Sequence, residues 1–230
     1  REEIIFVAKF MNRLGKVRLL NQESYQVAAV AFDKSRQSLW PEVKALLADI
    51  PTGAKVLDLG CGNGRVLNGL ATVNIEYTGI DMNADLLTKA RLIYPQHTFI
   101  QADLPDYDLG QEQYDFVSSI AFLHHLVSPA ERLEMLKRIQ AALKPDGQLL
   151  LTVWNLWQWR YFSTFWHQWH LKSSWNDCFI RWNYDLRQPV WRYYHAFTYS
   201  ELSSLTKLSG LKIISLTRQR HNYILRAYKS

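Results

Sequence analysis

The segment VLDLGCGNGR, Val56 to Arg65, carries an apolar, strand-like run through the acidic Asp58 into glycines at 60, 62 and 64. Glycines at this spacing let a chain turn sharply and let a ligand lie against the main chain where a Cβ would collide. A dinucleotide fingerprint reads G-x-G-x-x-G and needs its third glycine at position 65; here that residue is Arg65, and the glycine comes one place early. The segment therefore reads as the strand and binding loop for a nucleotide other than a dinucleotide. About 20 residues on, the strand-like YTGID ends in Asp81, the distance expected for a carboxylate that accepts from ribose hydroxyls. A third such run, HTFIQAD, ends in Asp103. Taken singly, each of Asp58, Asp81 and Asp103 could be a strand-end or turn residue. Their order favours a shared ligand.

At 230 residues and 48% hydrophobic composition, the chain can bury a large core without a disulfide framework. Cys61 and Cys178 are its only cysteines, so nothing calls for an oxidising compartment. No secretory signal is visible and no apolar run approaches the ~20 residues that cross a bilayer, so a cytoplasmic protein without stable membrane insertion is expected. Charge is uneven. Residues 1–153 hold 16 Lys and Arg against 18 Asp and Glu, whereas 154–230 hold 11 against 3. Eight of the nine tryptophans share that basic third, interleaved with Arg160, Lys172, Arg181, Arg187 and Arg192. Such a surface suits a polyanion with exposed bases, which predicts a nucleic acid as partner, with these cations on its phosphates. Trp159, Phe162, Phe165, Trp166 and Trp169 recur at helical spacing, and this stripe reads first as a buried packing face rather than a base-stacking platform, with an interfacial membrane helix as a third reading. His167, His170 and Cys178 lack the fourth ligand of a zinc spacing, and no metal is expected.

The order of elements predicts one α/β domain over 1–230. Helical patterns cover the first 50 residues: EEIIFVAKFMNRL, SYQVAAVAF and PEVKALLADI, the last with Pro41 placed for a first turn. Strands are expected at 55–59, 76–81, 98–101 and 114–120, alternating with helices such as ADLLTKARLIY and PAERLEMLKRIQAALK. A turn at Pro145, Asp146 and Gly147 and the strand QLLLTVWN follow. That alternation gives a mostly parallel twisted sheet with helices on both faces. Residues 155–191 break the rhythm as an inserted Trp-rich cap, helical or irregular. GLKIISLTR and NYILRAYK then close the sheet as an antiparallel pair.

Together, VLDLGCGNG, GID, QAD and YDFVSSIAFLHHL resemble the successive motifs of the class I S-adenosylmethionine-dependent methyltransferases, a Rossmann-like fold. Other segments are similar to the tRNA wobble-uridine carboxyl methyltransferases, including the methyltransferase domain of the AlkB-homologue tRNA enzyme. FDKSRQSLWPEV, Phe32 to Val43, resembles their F-x-x-T/S-R-x-x-x-W-P, and SIAFLHHLVSPAERL resembles S-I-A-x-x-H-H-L-S-T-x-x-R-R. VWN at 153–155 and RYYHAFTYSEL, Arg192 to Leu202, resemble V-W-A and R-Y-Y-H-x-F/Y-x-x-x-E-L. The chain departs from the pattern at Val127, Ser128 and Glu131.

The resemblance implies S-adenosylmethionine as cofactor, held by Asp58, Gly60, Gly62, Gly64, Asp81, Met82 and Ser119, with Ala102, Asp103 and Leu104 facing its adenine. It implies methyl transfer to the carboxylate of 5-carboxymethyluridine in tRNA, and a small activating protein as a possible partner. A carboxylate is already ionised at neutral pH, so the acceptor needs no general base. Arg36 is expected to hold that carboxylate through its planar guanidinium, with His124 and His195 holding the base or carboxylate. His125 reads as a packed or capping histidine. Two other functions fit the same motifs: methylation of a small molecule, and a cofactor-binding partner module without catalysis.

Overall fold

The computed structural model describes residues 13–35, 39–71, 73–167, 174–182 and 190–230. The expectations placed on Arg36, Trp169, His170, Lys172 and Arg187, and on the side chains of Trp166 and His167, lie outside the described residues. So does most of the first helix expected.

In chain order the elements are α1 (Arg13–Ser35), α2 (Pro41–Leu47), β1 (Lys55–Leu59), β2 (Glu76–Asp81), α3 (Ala84–Ile93), β3 (Thr98–Gln101), β4 (Tyr114–Ile120), α4 (Pro129–Ala142), β5 (Leu143–Trp154), α5 (Phe162–His167), β6 (Asp177–Trp182), β7 (Val190–His195), α6 (Tyr199–Leu208), β8 (Leu211–Arg218) and β9 (Asn222–Lys229). Seven strands form one sheet in the order β3-β2-β1-β4-β5-β9-β8. The first five pair in parallel, and β9 runs antiparallel to both β5 and β8. Connections leave β1 toward one edge and β4 toward the other. The gap between their carboxyl ends is where such a sheet receives a ligand.

Alternation along β1 divides the core. Val56 packs with Val43 and Leu47 of α2 and Leu87 of α3, while Leu57 and Leu59 face Met135, Leu136 and Ile139 of α4. Local signals start the helices where the sheet needs them. Asn83 caps α3 by accepting from the Leu86 N–H at 3.0 Å. Ser128 and Glu131 form a capping box before α4: the Ser128 hydroxyl accepts from the Glu131 N–H, and the Glu131 carboxylate accepts from the Val127 and Ser128 N–H groups. Val127, Ser128 and Glu131 are the three positions at which the chain departs from the motif it resembles, and here they form this cap.

Three sequence expectations need correction. SYQVAAVAF is not a separate helix; it continues α1, which begins at Arg13. The turn at 145–147 lies inside β5, as an irregularity with Asp146 at a φ of 62°. The cap is not simply helical, because β6 and β7 pair antiparallel as a second sheet. Period-2 alternation in DCFIRW and VWRYYH was masked by the density of Trp and Arg around it. Among the described residues no helix is long and apolar enough to cross a membrane.

α1 covers the open edge of β7. The Asn21 side chain accepts from the Tyr193 N–H at 2.8 Å and donates to the Tyr193 carbonyl at 3.4 Å, while the Ser24 hydroxyl donates to the Trp191 carbonyl at 2.7 Å. An amide side chain thus replaces a missing strand, which satisfies backbone groups that burial would otherwise strand. We expect Asn21→Ala to lower unfolding free energy by about 1–3 kcal/mol, the cost of unpaired buried polar groups. Urea denaturation of the two proteins measures it, and faster limited proteolysis of α1 should accompany the loss.

Candidate active site

The glycine loop after β1 is tied to the end of β2 by main-chain bonds. Gly60 and Cys61 both donate to the Ile80 carbonyl, at 2.8 and 3.1 Å. Asp81 completes the tie, its carboxylate accepting from the Gly62 N–H and the Asn83 N–H at 2.8 Å each. Gly60, Gly62 and Gly64 all have positive φ, 71°, 55° and 76°, so the loop requires residues without a Cβ penalty. A Cβ on Gly60 would also stand 3.0 Å from Phe122.

This loop floors a cleft holding about 1080 Å³ of empty space, part of it continuous with solvent. That is enough for a nucleoside-sized ligand together with part of a second molecule. Of the expected cofactor residues, Gly60, Gly62, Asp81, Met82, Ala102, Asp103 and Leu104 line it. Burial raises the Asp81 carboxyl above its ordinary value, against the backbone N–H groups that favour its charge. The arrangement fits the cofactor that the resemblance implies: a fixed acceptor stands at the β2 end and a second, Asp103, after β3.

Asp58, Gly64, Ser119 and His195 are set back from the cleft. Asp58 is buried at the end of β1, where its carboxylate accepts from the Tyr77 hydroxyl at 2.7 Å and the Ser118 hydroxyl at 2.5 Å. It links β1 to β2 and β4. Gly64 turns the loop against Tyr94, and Ser119 is fully buried within β4. His195 lies in the cap, with Nδ1 2.9 Å from Asp177 and Nε2 2.8 Å from Glu201. It joins β7 to β6 and α6.

Another wall of the cleft comes from α1, which the sequence motifs did not mark. Arg18, Asn21, Gln22 and Tyr25 all line the cleft. Their spacing of i, i+3, i+4, i+7 is the one signal that could have found them, a polar stripe on one helix face. Arg18 and Gln22 both donate to Oδ2 of Asp103, at 2.7 and 2.8 Å. The Asn83 side chain donates to the Tyr25 carbonyl at 3.0 Å, tying α1 to the start of α3.

The turn after β4 and the end of β5 also line the cleft, with Phe122 against Gly60 and His124, His125 and Trp154 beyond it. Ala121 enters this turn at a φ of 59°, unfavourable for a residue with a Cβ, and its N–H is held by Thr152. Such strain persists where the surroundings impose it. Both histidine rings have defined roles. Nδ1 of His124 accepts from the Trp154 N–H at 3.2 Å, so the neutral ring carries its proton on Nε2. Nδ1 of His125 lies 3.1 Å from the Tyr193 carbonyl and must donate; Nε2 then accepts from the Tyr25 hydroxyl at 2.5 Å. Each imidazole lone pair is therefore already engaged, and neither ring is arranged as a base.

Outside the cleft, the cap exposes Trp159, Phe162 and Trp175, Trp159 to 90%. Arg160 and Arg181 are also exposed. The helical stripe expected here divides, because Phe165 stacks on Trp157 at 5.1 Å while Trp159 and Phe162 face solvent. Arg192, expected among the surface cations, is corrected to a core position, being 1% exposed.

A family model described as a methyltransferase domain matches residues 32–216. The tRNA (carboxymethyluridine(34)-5-O)-methyltransferase of Saccharomyces cerevisiae is 33% identical over 132 residues, 57% of this chain and 47% of its own length. The protein of the same name from Schizosaccharomyces pombe is 28% identical over 228 residues, covering 90% of this chain and 94% of its own. This chain thus spans about half the length of the first relative and nearly all of the second. A SAM-dependent methyltransferase from Methanosarcina mazei shares the fold with a TM-score of 0.71 at 21% identity, over 84% of this chain and 98% of that one.

Two outcomes test this geometry. Asp81→Ala should weaken S-adenosylmethionine binding by about 2 kcal/mol or more through loss of hydrogen bonds to a charged acceptor; calorimetry on the folded variant measures it. Asp58 gives a pH signature. Burial raises its carboxyl to about 6, although Ser118, Tyr77 and Arg65 favour its charge. The folded protein thus holds this proton up to about pH 6, while the unfolded chain releases it near pH 4. The stabilisation is full below about pH 4 and is lost as pH rises through 6, a change of roughly 3 kcal/mol. Urea unfolding at stepped pH should show that slope in the native protein and its absence in Asp58→Asn.

Proposed function

The chain belongs to the methyltransferase-domain family, with S-adenosylmethionine as its cofactor, and from that premise we propose that it methylates the carboxylate of a 5-carboxymethyluridine-type base at the tRNA wobble position. One observation carries the choice of acceptor: the lone pairs of His124 and His125 are both engaged by hydrogen-bond donors. A hydroxyl or amine acceptor needs a base to take its proton, whereas a carboxylate arrives ionised. The names of the Saccharomyces and Schizosaccharomyces relatives support the same acceptor.

The cofactor supplies an electrophilic methyl group. The protein's task is then alignment of acceptor and donor, which is where most of the rate enhancement of such a step lies. In this reading Asp81 takes the ribose hydroxyls, and Ala102, Asp103 and Leu104 border the adenine, with Oδ1 of Asp103 toward it. Nε2–H of His124 steadies the acceptor from the β4 side, and Arg36 orients its carboxylate. His195 acts through β7, which it holds to Asp177 and Glu201. Trp159, Phe162 and Trp175, with Arg160 and Arg181 nearby in sequence, offer stacking faces and cations to unpaired bases and phosphates. A small activating protein is the partner this reading includes.

Purified protein, tested with and without such an activator, should transfer a methyl group from S-adenosylmethionine to tRNA carrying 5-carboxymethyluridine. The product is a methyl ester seen by nucleoside mass analysis and removed by mild alkali. His124→Ala should cut turnover by about 10- to 100-fold with cofactor affinity nearly unchanged, the loss of one orienting hydrogen bond. Methylation of a small molecule with no ester on tRNA would replace this reading.

A further inference from the structure

We infer that Arg192, with Tyr25 and Tyr194 beside it, forms an anion subsite at the acceptor end of the cleft, and that its ligand is the acceptor carboxylate, a subsite that rests on the function proposed above. The surroundings of Arg192 are unlike those of the chain's surface cations. It is buried, yet its Nε and Nη1 have no hydrogen-bond partner among the described residues. A buried charge is costly unless it is paired. Among the described residues of the cap, the carboxylates of Asp177 and Glu201 are both bonded to His195 instead.

Two aromatic rings hold the guanidinium. Its central carbon stands 4.1 Å from the Trp182 ring centroid and 5.1 Å from that of Tyr25. Cation–π contact offsets part of the desolvation, and Nε and Nη1 stay without an acceptor among the described residues. A carboxylate supplies the acceptor and the negative charge that these two donors of the planar guanidinium fork lack.

Position along β7 connects Arg192 to the cleft. Alternation puts residues 192 and 194 on one face of the strand. Tyr194 packs on Trp154, His125 and His124, with ring centroids at 4.9, 4.7 and 5.2 Å. All three line the cleft, as does Tyr25, the ring beneath Arg192. The cation is therefore joined to the two histidines through Tyr25 and Tyr194. An acceptor entering from the histidine side would bring its carboxylate toward a cation whose Nε and Nη1 have no other acceptor among the described residues.

The test uses the full chain saturated with S-adenosylhomocysteine and two nucleosides, 5-carboxymethyluridine and its uncharged amide, 5-carbamoylmethyluridine. Calorimetry should show the native protein binding the acid more tightly than the amide. Arg192→Gln should weaken the acid by about 10- to 100-fold while the amide and S-adenosylhomocysteine bind as before. Arg192→Lys keeps the charge but not the fork, so it should recover only part of the acid affinity; it also serves if the Gln variant folds poorly. Either variant binding the acid as the native protein does would overturn the subsite and leave the methylation reading standing. A native protein that neither prefers the acid nor methylates carboxymethyluridine tRNA would overturn that reading, and the subsite with it.

Discussion

The Asp81 carboxylate is the joint on which the site is built. It accepts from Gly62 on the glycine loop and from Asn83 at the start of α3, so one side chain fixes the distance between two elements that leave different strands. Asn83 extends the joint, since it caps α3 with one end of its amide and holds the Tyr25 carbonyl of α1 with the other. Loop, helix and cleft wall are thus registered to the end of β2. The main-chain bonds that stabilise the charge of Asp81 still leave a carboxylate lining the cleft, where burial sharpens its interaction with a hydroxyl donor.

The second organising constraint is the edge of β7. A two-stranded sheet leaves backbone groups open on both sides, and α1 closes one of them with the side chains of Asn21 and Ser24. His125 donates to the same Tyr193 carbonyl that Asn21 approaches. That shared carbonyl sets the tautomer of His125 and, through it, the orientation of the Tyr25 hydroxyl. The cap, α1 and the turn after β4 therefore meet at one strand, and the histidine side of the cleft is made where they meet. Buried histidines here donate and position. On the function proposed above, this suits an acceptor that arrives already ionised and leaves the protein to align it, not to remove a proton.

Much of this was legible in the residues. The ends of β1 to β4 follow from apolar runs that stop at Asp or at turn residues, because a strand leaving a buried parallel sheet must change composition where it meets solvent and ligand. The glycine spacing implies positive φ, and all three loop glycines have it. The antiparallel closing pair follows from a separation too short for a crossover.

What the tertiary structure decided is which polar residues face the same space. Asp58 and Asp81 end neighbouring strands and look equivalent in sequence; the pleat buries one between Tyr77 and Ser118 and opens the other to the cleft. His124 and His195 stand in equally suggestive motifs, yet one lines the cleft and the other is bound between Asp177 and Glu201. Arg192 looked like one more surface cation in a basic third, and only the packing of Trp182 and Tyr25 around it made it a buried charge. Sequence periodicity specifies local conformation because backbone sterics and burial act over a few residues. Contacts between α1, β4 and β7 join residues about 100 to 170 positions apart, and their choice of partner is set by the assembled core.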